Sequence, residues 1–473
     1  MAHKQTTSKA DAWAQSGVDL HLELKGSRLR AGLGDALREA VRSGRLAPGT
    51  RLPASRALAA DLGVARSTVT ECYAALVEEG WLVARHGSGT HVADREVPRR
   101  NGEPAQERPG PRPHGLEPGA AEYAEFPRGP WLAAARKALT TAPHTAFGYG
   151  DPLGAMELRI ALADYLSRVR GVRAVPAQIV ITSGFHHALG VLARALKSQG
   201  VATVAVEAYG LGIYRSVLED EGLAIPPLEV DTSGALLDGL DPLPPGSVAL
   251  LTPAHQFPTG HALSADRRNG LLQWARRTGG LVLEDDYDGE FRYDRKPVGA
   301  LQGLDPDHVV YFGTASKSVA PALRLAWAVV PEHLVSAVAV AKGRVDTVSV
   351  LDQLVFTEFV TSGAFDRHVR GRRQSYRRRR EQLVSTLAER APSVCVLGMP
   401  AGLQAALILP EGTEALTLQA AATQGVAVSR LSAFRHPEAA RDSRWSDGLV
   451  VNFSAVSDSS WPGVLASLAD VLP

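Results

Sequence analysis

Apolar residues follow two different periods along the chain, and the change separates a short N-terminal part from a long remainder. Leu29, Leu33, Leu37 and Val41 recur every fourth residue, which predicts one face of an amphipathic helix. From about residue 120 onward, helical patterns alternate with five short apolar runs, QIVIT, VATVAVE, SVALLTP, GGLVLEDD and HVVYFGT. Such runs between amphipathic helices predict a mostly parallel α/β sheet covered on both faces.

The stretch ASRALAADLGVARSTVTECYAALVEEGWL predicts two short helices joined by a tight turn. Ser55 is the predicted N-cap of the first helix, and Gly63 supplies the positive φ that the turn needs. Val69, Cys72 and Leu76 give the second helix a buried face. The following GWLVARHGSGTHV has two β-like runs around HGSG, which predicts a hairpin. Together these elements predict a winged helix-turn-helix.

A helix-turn-helix places the start of its second helix in the major groove, while neighbouring turns contact phosphates. The predicted base-contacting residues are Arg66, Ser67 and Thr68, with Thr70 close by. The predicted phosphate contacts lie in the preceding turn, the first helix and the hairpin: Arg51, Ser55, Arg56, Arg85, Ser88, Gly89 and Thr90. Since such patterns have many false positives, a small helical domain without DNA is the alternative.

The segment between the two parts, residues 96–119, combines proline, glycine and charge without an apolar period. This composition predicts an extended, solvated linker. We therefore expect a DNA-binding domain over residues 18–95 and a separate body over residues 120–473.

Composition narrows the class of protein. The 473-residue chain has a formal net charge of +1, so any charge that binds DNA must be local. Cys72 and Cys395 are far apart and lack partners at metal-ligand spacing, so we expect neither a disulfide framework nor a zinc site. The sequence shows no signal-peptide core and no apolar run of about 18 residues, which predicts a cytoplasmic, non-membrane protein.

An arginine-rich run, RHVRGRRQSYRRRRE at residues 367–381, suggests nucleic-acid binding at first sight. At helical spacing, however, its arginines surround the helix axis instead of forming one stripe. A solvated or interdomain helix is therefore the favoured interpretation.

Three motifs that carry chemistry each follow a predicted strand, where α/β proteins bind ligands. In ITSGFHHALG, Ser183, Gly184 and Phe185 open a helix whose N-terminus suits a phosphate. In VLEDDYDGEFRY, clustered acids at a strand end allow a metal site, a solvated loop or a cofactor contact. For a cofactor, one carboxylate would hold a pyridine nitrogen protonated, and Tyr287 would bond the 3-oxygen of the ring.

The third motif, YFGTASKSVAPALRLAW, places a lysine among small hydroxyl residues. Lys317 can form a Schiff base with an aldehyde, and Thr314 and Ser316 can donate hydroxyls. Arg324 can pair with a phosphate through two N–H groups. Each motif alone is weak evidence, but in this order they supply every contact that pyridoxal 5′-phosphate (PLP) requires.

These motifs carry a resemblance to known families. The head resembles the winged helix of GntR-type regulators, and the body resembles the fold type I aminotransferases, which are PLP enzymes. The order of head, linker and body resembles the MocR/GabR family of transcription regulators over almost the whole chain. The motifs similar to that family are FPRGPWL, GYGDPLG, AHQFPTG, EDDYDGEFRY and GTASKSVAPALR.

The resemblance implies a role for each motif residue. Lys317 would be the Schiff-base lysine, Asp285 the partner of the pyridine nitrogen, Tyr287 the partner of the 3-oxygen and Arg324 a phosphate ligand. The phosphate cup would be completed by Ser183, Gly184, Phe185, Thr314 and Ser316. Tyr149 would reach the phosphate of a neighbouring subunit, which implies a homodimer whose heads bind paired half-sites in promoter DNA.

Two departures from the aminotransferase pattern concern function. EAYGLG places Leu211 where relatives often carry an aromatic residue that stacks on the cofactor ring. GLVVNFSA places Val450 where aminotransferases carry an arginine that binds the substrate carboxylate, and Arg430 or Arg435 nearby are hypothetical substitutes.

We therefore expect a regulator that detects PLP or an amine effector through an aldimine on Lys317, instead of an efficient enzyme. An active aminotransferase with a DNA-targeting head is the alternative. A DNA-binding protein whose cofactor pocket is inactive is the third possibility.

Overall fold

The computed structural model of the chain describes residues 29–85, 88–94, 114–119, 123–293, 298–343, 345–440, 445 and 447–473. The chain divides into two compact units, Met1–Gly110 and Pro111–Pro473, which are described separately below. Residues 18–28 of the predicted head and residues 96–113 of the predicted linker lie outside the described residues.

The N-terminal unit has the predicted winged helix-turn-helix. Its elements in order are α1 (Leu29–Arg42), α2 (Ser55–Leu62), α3 (Arg66–Glu78), β1 (Leu82–Arg85) and β2 (Gly89–Val92). The two strands are antiparallel, and the first two residues of the predicted HGSG tip lie outside the described residues. Its core is formed by fully buried side chains from all three helices, among them Leu33, Leu37, Leu58, Val69 and Leu76.

The turn between α2 and α3 has the predicted geometry, whereas the predicted cap does not. Gly63 ends α2 with φ 65°, a left-handed conformation that glycine adopts without steric cost. Ser55 is not the N-cap: it is the first helical residue, and Ala54 precedes it without a side-chain cap. The prediction failed because the chain becomes helical one residue earlier than an N-cap at Ser55 would require.

The second unit contains a long series of helices and strands. Its helices are α4 (Arg128–Thr141), α5 (Met156–Arg170), α6 (Phe185–Ser198), α7 (Gly212–Asp220), α8 (Ala265–Thr278), α9 (Ala315–Ser318), α10 (Glu332–Lys342), α11 (Val350–Thr361), α12 (Ala364–Arg390), α13 (Glu414–Thr423) and α14 (Trp461–Val471). Its strands are β3 (His114–Gly115), β4 (Ile179–Thr182), β5 (Val204–Glu207), β6 (Pro227–Leu228), β7 (Val230–Asp231), β8 (Gly234–Ala235), β9 (Val248–Leu251), β10 (Leu281–Asp285), β11 (Val309–Thr314), β12 (Ala326–Val329), β13 (Cys395–Val396), β14 (Ala405–Ile408), β15 (Val426–Ala427), β16 (Ser429–Arg430) and β17 (Gly448–Val451).

A seven-stranded sheet forms the centre of this unit, in the order β4-β12-β11-β10-β9-β5-β6. Neighbours are parallel except at β12, which is antiparallel to both β11 and β4. All five predicted apolar runs are strands of this sheet, so the mostly parallel α/β architecture is confirmed. The carboxyl ends of β5, β9, β10 and β11 lie at one edge, where the chemical motifs follow.

The C-terminal part of the unit has a smaller sheet, in the order β13-β14-β17-β16, all of whose pairings are antiparallel. Its own core includes Leu383 of α12, Leu407, Leu449, Phe453 and Trp461, all buried. This part is referred to below as the C-terminal lobe.

The end of the predicted linker, residues 114–119, is not a solvated tether. Strand β3 pairs in parallel with β15, and Leu116 is fully buried in the core of the C-terminal lobe. Leu116 donates to the carbonyl of Ala427 and accepts from the N–H of Asn452. One leucine among prolines and glycines gives no periodic signal, which is why the sequence assigned this segment to the linker.

The arginine-rich run lies in α12, and many of its arginines hold the unit together. Arg379 is buried, binds Asp458 at 2.7 Å and donates to the carbonyl of Phe453. Arg372 pairs with Glu125 at 2.9 Å. The exposed members are Arg367, Arg370, Arg377 and Arg378.

Within the described residues, no helix is long and apolar enough to cross a membrane.

Candidate functional site

A cleft of about 800 Å³, counting its open mouth, lies at the carboxyl ends of β5, β9 and β10. It brings together Asp285, Tyr287 and Lys317, which the sequence placed in two separate motifs. The other lining residues come from the segment after β3, from β5 to α7, from β9 onward and from the C-terminal lobe: Pro118, Gly119, Val206, Glu207, Tyr209, Gly210, Leu211, Tyr214, Arg215, Leu250, Leu251, Thr252, Phe257 and Gln404.

Three consecutive acidic residues, Glu284, Asp285 and Asp286, lie at the end of β10. They have different hydrogen-bond partners, so they have different roles. Glu284 accepts from the backbone N–H groups of Leu301 at 2.7 Å and Gln302 at 2.9 Å. Asp286 binds Arg170 through both carboxylate oxygens at 2.7 and 2.9 Å. Among the described residues, the Asp285 carboxylate has no hydrogen-bond donor, and it lines the cleft. Asp285 is therefore the acid available to a ligand.

Burial shifts the pKa values of Asp285 and Lys317 in opposite directions. Burial, with the negative charges of Asp286 and Asp288, raises the pKa of Asp285 well above its usual value. Burial lowers the pKa of Lys317, although the charge of Asp285 opposes that shift. Lys317 is thus more readily neutral than an exposed lysine, and a neutral amine is the nucleophilic form.

Tyr287 lies in a hydrogen-bonded network that sequence reasoning missed. Its hydroxyl accepts from Gln404 Nε2 at 2.7 Å and lies 3.2 Å from His255 Nδ1. His255 Nδ1 is also 2.8 Å from Asp288, and both residues are buried. His255 and Asp288 stand inside the motifs AHQFPTG and EDDYDGEFRY, so their presence was visible although their pairing was not. Gln404 comes from the C-terminal lobe and had no local signal.

Residues of the predicted phosphate cup lie around the start of α6. Gly184 has φ 86°, and a Cβ there would lie 2.8 to 3.1 Å from the Arg324 guanidinium. Arg324 Nη2 donates to the Ser183 carbonyl at 2.8 Å. Phe185 follows, buried, with its ring 5.1 Å from that of Phe312. Only glycine lets Arg324 approach the start of α6 so closely.

In the third motif, one of the two hydroxyl groups predicted to donate to the cofactor already forms hydrogen bonds with backbone groups. Thr314 caps α9: its Oγ1 accepts from the Ser316 N–H at 3.1 Å and donates to the Leu325 carbonyl at 3.3 Å. Ser316 is half-buried. Thr182, at the end of β4, has a buried hydroxyl without a partner among the described residues.

Of the two departures from the aminotransferase pattern, one lines the cleft and the other is buried away from it. Leu211 lines it, as do Tyr209 and Tyr214, whose ring is 4.6 Å from that of Phe185. Val450 is completely buried in β17 and packs in an apolar cluster with Tyr209 and Trp445.

The hypothetical substitutes for a carboxylate-binding arginine do not line the cleft. Arg430 is exposed on β16, and Arg435 turns its guanidinium to the Ala439 carbonyl. Arg215 does line the cleft, and sequence reasoning missed it because an arginine in the first turns of a helix resembles a solvated residue. Tyr149 lies outside the cleft lining and is 95% exposed.

The predicted DNA-contacting residues lie at the surface of the N-terminal unit. The exposed ones are Arg51, Arg56, Arg66, Ser67, Thr70, Arg85 and Gly89, and the half-buried ones are Ser55, Thr68, Ser88 and Thr90. The Thr70 hydroxyl donates to the Arg66 carbonyl at 3.0 Å, so it is partly occupied within α3.

Both units match known families. Residues 29–92 match "Bacterial regulatory proteins, gntR family", and residues 120–444 match "Aminotransferase class I and II". The chain is 31% identical to the pyridoxine biosynthesis regulator PdxR of Corynebacterium glutamicum, over 93% of this chain and 95% of that one. It is 33% identical to the probable rhizopine catabolism regulator MocR of Rhizobium meliloti, over 74% and 75%. The chain belongs to the MocR/GabR family.

Solved structures support the fold of the body. A multiple substrate aminotransferase from Thermococcus profundus superimposes with a TM-score of 0.67 at 23% identity, covering 76% of this chain and 91% of that one. This MocR-family chain is thus a transcription regulator with a GntR-type DNA-binding domain and a fold type I body whose cofactor is PLP.

The cleft of this regulator fits PLP. Among the described residues, the Asp285 carboxylate has no hydrogen-bond donor, and a protonated pyridine nitrogen would supply one. Gly184 leaves room for Arg324 at the start of α6, where the guanidinium offers N–H groups to a phosphate. Lys317 would hold the aldehyde carbon and Tyr287 the 3-oxygen. When bound, PLP supplies an aldehyde that reacts with amines and a ring that withdraws electrons. Within the described residues, no group of three metal-ligating side chains is arranged to hold a metal ion.

Proposed function

We propose that this regulator is a homodimer that senses PLP or an amine effector in the cleft and changes its binding to promoter DNA in response. Lys317 is the residue through which the small molecule is bound. The cleft acts as a receptor site, and differential affinity of its occupant for two arrangements of the protein shifts their populations.

The observation that carries this proposal is the apolar packing at Val450. An arginine side chain at that position would bind the carboxylate of a substrate through strong, charge-assisted hydrogen bonds. Here the position is fully buried among Tyr209, Ala406 and Trp445. The lack of this clamp lowers the binding and orientation of simple amino-acid substrates, which favours sensing over turnover.

Assembly as a homodimer is supported by the surface around Tyr149. This side chain is almost fully exposed, and several apolar neighbours in sequence on α4, α5 and the turn between them are about half exposed: Leu132, Leu139, Phe147, Met156 and Ile160. Exposed apolar side chains in such number mark an interaction surface. We propose that Tyr149 of the partner subunit completes the phosphate site.

The proposed response acts through the N-terminal units. Arg66, Ser67 and Thr68 at the start of α3 would contact bases, and the wing with Arg85 would contact phosphates. Two such units in a dimer would bind paired half-sites. We propose that the regulator acts in the cytoplasm on the bacterial nucleoid.

An active aminotransferase with a DNA-targeting head is the second candidate. It is favoured by Lys317, Asp285 and Tyr287, which line the cleft together as such catalysis requires. The lowered pKa of Lys317 suits a nucleophile as well as a receptor.

A DNA-binding titration tests the proposal. The affinity of the full chain for DNA upstream of its own gene is measured without PLP, with PLP, and with PLP plus a series of amines. We expect a shift in affinity that the Lys317→Ala variant does not show. Equal affinity under all conditions contradicts sensing, and turnover of an amino donor with a 2-oxo acid at about 10 s⁻¹ supports the enzyme.

A further inference from the structure

Asp285 needs a second hydrogen-bond donor besides the ring nitrogen of the cofactor. When it pairs with a protonated nitrogen, the carboxylate is charged and buried, and one of its two oxygens still lacks a partner. A buried charge that is only partly hydrogen-bonded is costly. The amine of Lys317 lies in the same cleft, and its charge lowers the pKa of Asp285, but this amine is the group that holds PLP. A further donor in the cleft is therefore expected.

Tyr214 carries a free donor in this cleft. Its side chain lies in the first turn of α7, is half-buried and lines the cleft together with Asp285. Within the part of the chain that the structure describes, the Tyr214 hydroxyl forms no hydrogen bond. A phenol donates one hydrogen bond, and an ionised carboxylate is a strong acceptor for it. The cleft thus holds an unpaired donor and an unpaired acceptor that suit each other.

A row of packed aromatic rings connects Tyr214 to the strand that carries Asp285. The residue paired with Asp285 in the sheet is Phe312 of β11, and such register partners point to the same face of a sheet. The ring of Phe185 lies 5.1 Å from that of Phe312 at 81°, and the ring of Tyr214 lies 4.6 Å from that of Phe185 at 65°. These edge-on contacts stabilise one orientation of the phenol ring. Tyr214 is therefore fixed on the side of the sheet that Asp285 faces.

The charges that act on Tyr214 agree with this position. Burial raises the pKa of Tyr214, and the negative charge of Asp285 raises it further, whereas the positive charge of Arg324 lowers it. The phenol therefore keeps its proton and can donate it. These two charges also mark two candidate acceptors, the Asp285 carboxylate and a phosphate bound by Arg324. The carboxylate is the acceptor that the chain itself provides.

We propose that Tyr214 is a positioning residue whose hydroxyl donates to the Asp285 carboxylate in the PLP-loaded chain. The hydrogen bond orients the carboxylate and leaves its other oxygen directed at the ring nitrogen. The proposal rests on the proposed role of Asp285 in the receptor site and adds a residue to it.

Two ligands that differ in one ring atom test the proposal in the full chain. One is PLP, and the other is its carbocyclic analogue, in which a C–H group replaces the ring nitrogen. Equilibrium dialysis gives the dissociation constant of each for the wild-type chain and for Tyr214→Phe, which loses the hydroxyl and keeps the ring that packs on Phe185. We expect the variant to bind PLP about 10-fold more weakly, as loss of a hydrogen bond to a charged group does. Its affinity for the analogue should equal that of the wild-type chain, because only a ring nitrogen gains from an oriented, ionised carboxylate.

A double-mutant cycle with Asp285→Asn gives a second measurement. In that background no charged carboxylate is left for the hydroxyl to support, so we expect Tyr214→Phe to change PLP affinity by about twofold or less. Tyr165→Phe is the matched control, since it removes a hydroxyl from another buried tyrosine of the same unit, outside the described lining of the cleft. We expect it to bind both ligands as the wild-type chain does.

The proposal is wrong if Tyr214→Phe binds PLP like the wild-type chain. It is also wrong if the variant binds PLP and the analogue equally weakly, which would assign the hydroxyl to the phosphate or to the stability of the fold, or if the full effect persists beside Asp285→Asn. Whether an occupied cleft changes DNA binding is measured separately by the titration against promoter DNA, so failure of the proposed function is a different result.

Discussion

Asp285 stands between two acids of equal charge, and only its surroundings give it a separate role. Glu284 and Asp286 are occupied by backbone N–H groups and by Arg170, while Asp285 faces the cleft without a donor. Three neighbouring carboxylates in one short run thus take different roles because the rest of the fold brings different partners to each.

Replacing this acid tests its role in binding. We expect Asp285→Asn to weaken PLP binding by about 10- to 100-fold, since a hydrogen bond to a charged group contributes about 1.5 to 3 kcal/mol. The measurement is a PLP titration followed by absorbance. Asp220→Asn, at the exposed end of α7, is the matched control. Equal PLP affinity in both variants would contradict the assignment of Asp285.

A second residue-scale prediction concerns pH. Burial raises the pKa of Glu207 to about 7, so this carboxyl binds its proton more tightly in the folded chain than in the unfolded one. Its contribution to the free energy of unfolding therefore falls as pH rises from the usual value of 4.5 through 7. The Glu207→Gln variant lacks the titrating carboxyl, so this decrease in the free energy of unfolding with rising pH is absent from it.

We expect Glu207→Gln to gain stability relative to the wild-type chain between pH 5 and 8, by up to about 3 kcal/mol. Denaturant unfolding of both chains across this range gives the difference. A difference that does not change with pH would show that Glu207 titrates alike in the folded and unfolded chains.

Among the elements, the start of α6 restricts the residue type most narrowly, because position 184 has room only for glycine. A Cβ at residue 184 would meet the Arg324 guanidinium, whereas one at Gly200 would meet nothing within 4 Å, although φ is +89° there. Both positions have a φ close to +90°, and only Gly184 has the close approach.

We expect Gly184→Ala to lower both stability and PLP affinity, the latter by about 10-fold or more, because it displaces Arg324 from the cup. Gly200→Ala carries only the cost of positive φ, about 1 to 2 kcal/mol of stability. Thermal unfolding and PLP titration of the two variants separate strain from cofactor contact. An unchanged PLP affinity in Gly184→Ala would place the phosphate elsewhere.

Helix α3 and its surroundings allow a similar separation on DNA. We expect Arg66→Ala to relax base preference at one position, at a cost of about 1 to 3 kcal/mol. Arg56→Ala should weaken binding to all sequences alike and reduce the slope of log affinity against log salt by about 1. Affinities for a panel of operator variants at several salt concentrations measure both. Identical behaviour of the two variants would contradict the assignment of α3 to the major groove.

At the scale of the whole molecule, the sequence predicted much of the architecture and fewer of the contacts. Five apolar runs and the Gly63 turn identified the main strands and the helix-turn-helix, because period and turn chemistry are local properties. The antiparallel direction of β12 was not predicted, since an apolar run does not encode strand direction. Lys317, Asp285 and Tyr287 came from local motifs, and the cleft brings all three together.

The missed residues of the site share one property. His255, Gln404 and Arg215 act through partners that are distant in sequence: Gln404 reaches Tyr287 across 117 positions, and Arg215 reaches Phe434 across 219. The contacts of Gln404 and Arg215 arise only when the C-terminal lobe meets the large sheet, whereas those of His255 join two loops that follow strands of that sheet. Sequence motifs therefore identified the residues that are proposed to contact the cofactor more readily than the residues that surround them.

Residues 114–119 lead to a prediction about the body as a unit. Leu116 is fully buried, and Pro118 and Gly119 line the cleft. We expect a fragment of residues 111–473 to bind PLP and a fragment of residues 120–473 to be markedly less stable. In the full chain, Leu116→Ala should cost about 2 to 5 kcal/mol. Denaturation and PLP binding of these chains provide the check, and equal behaviour of the two fragments would show that the segment is dispensable.

The pairing of β3 with β15 also fixes an order of events during synthesis. His114 leaves the ribosome about 310 residues before its partner Val426. The winged helix, whose contacts are local, can fold early as a separate domain. Strand β3 and the cleft residues that follow it cannot reach their final positions until at least Val426 has been made. A newborn chain can therefore fold its DNA-binding domain well before its small-molecule cleft is complete, and under the proposed function translation itself would limit when control by an effector begins.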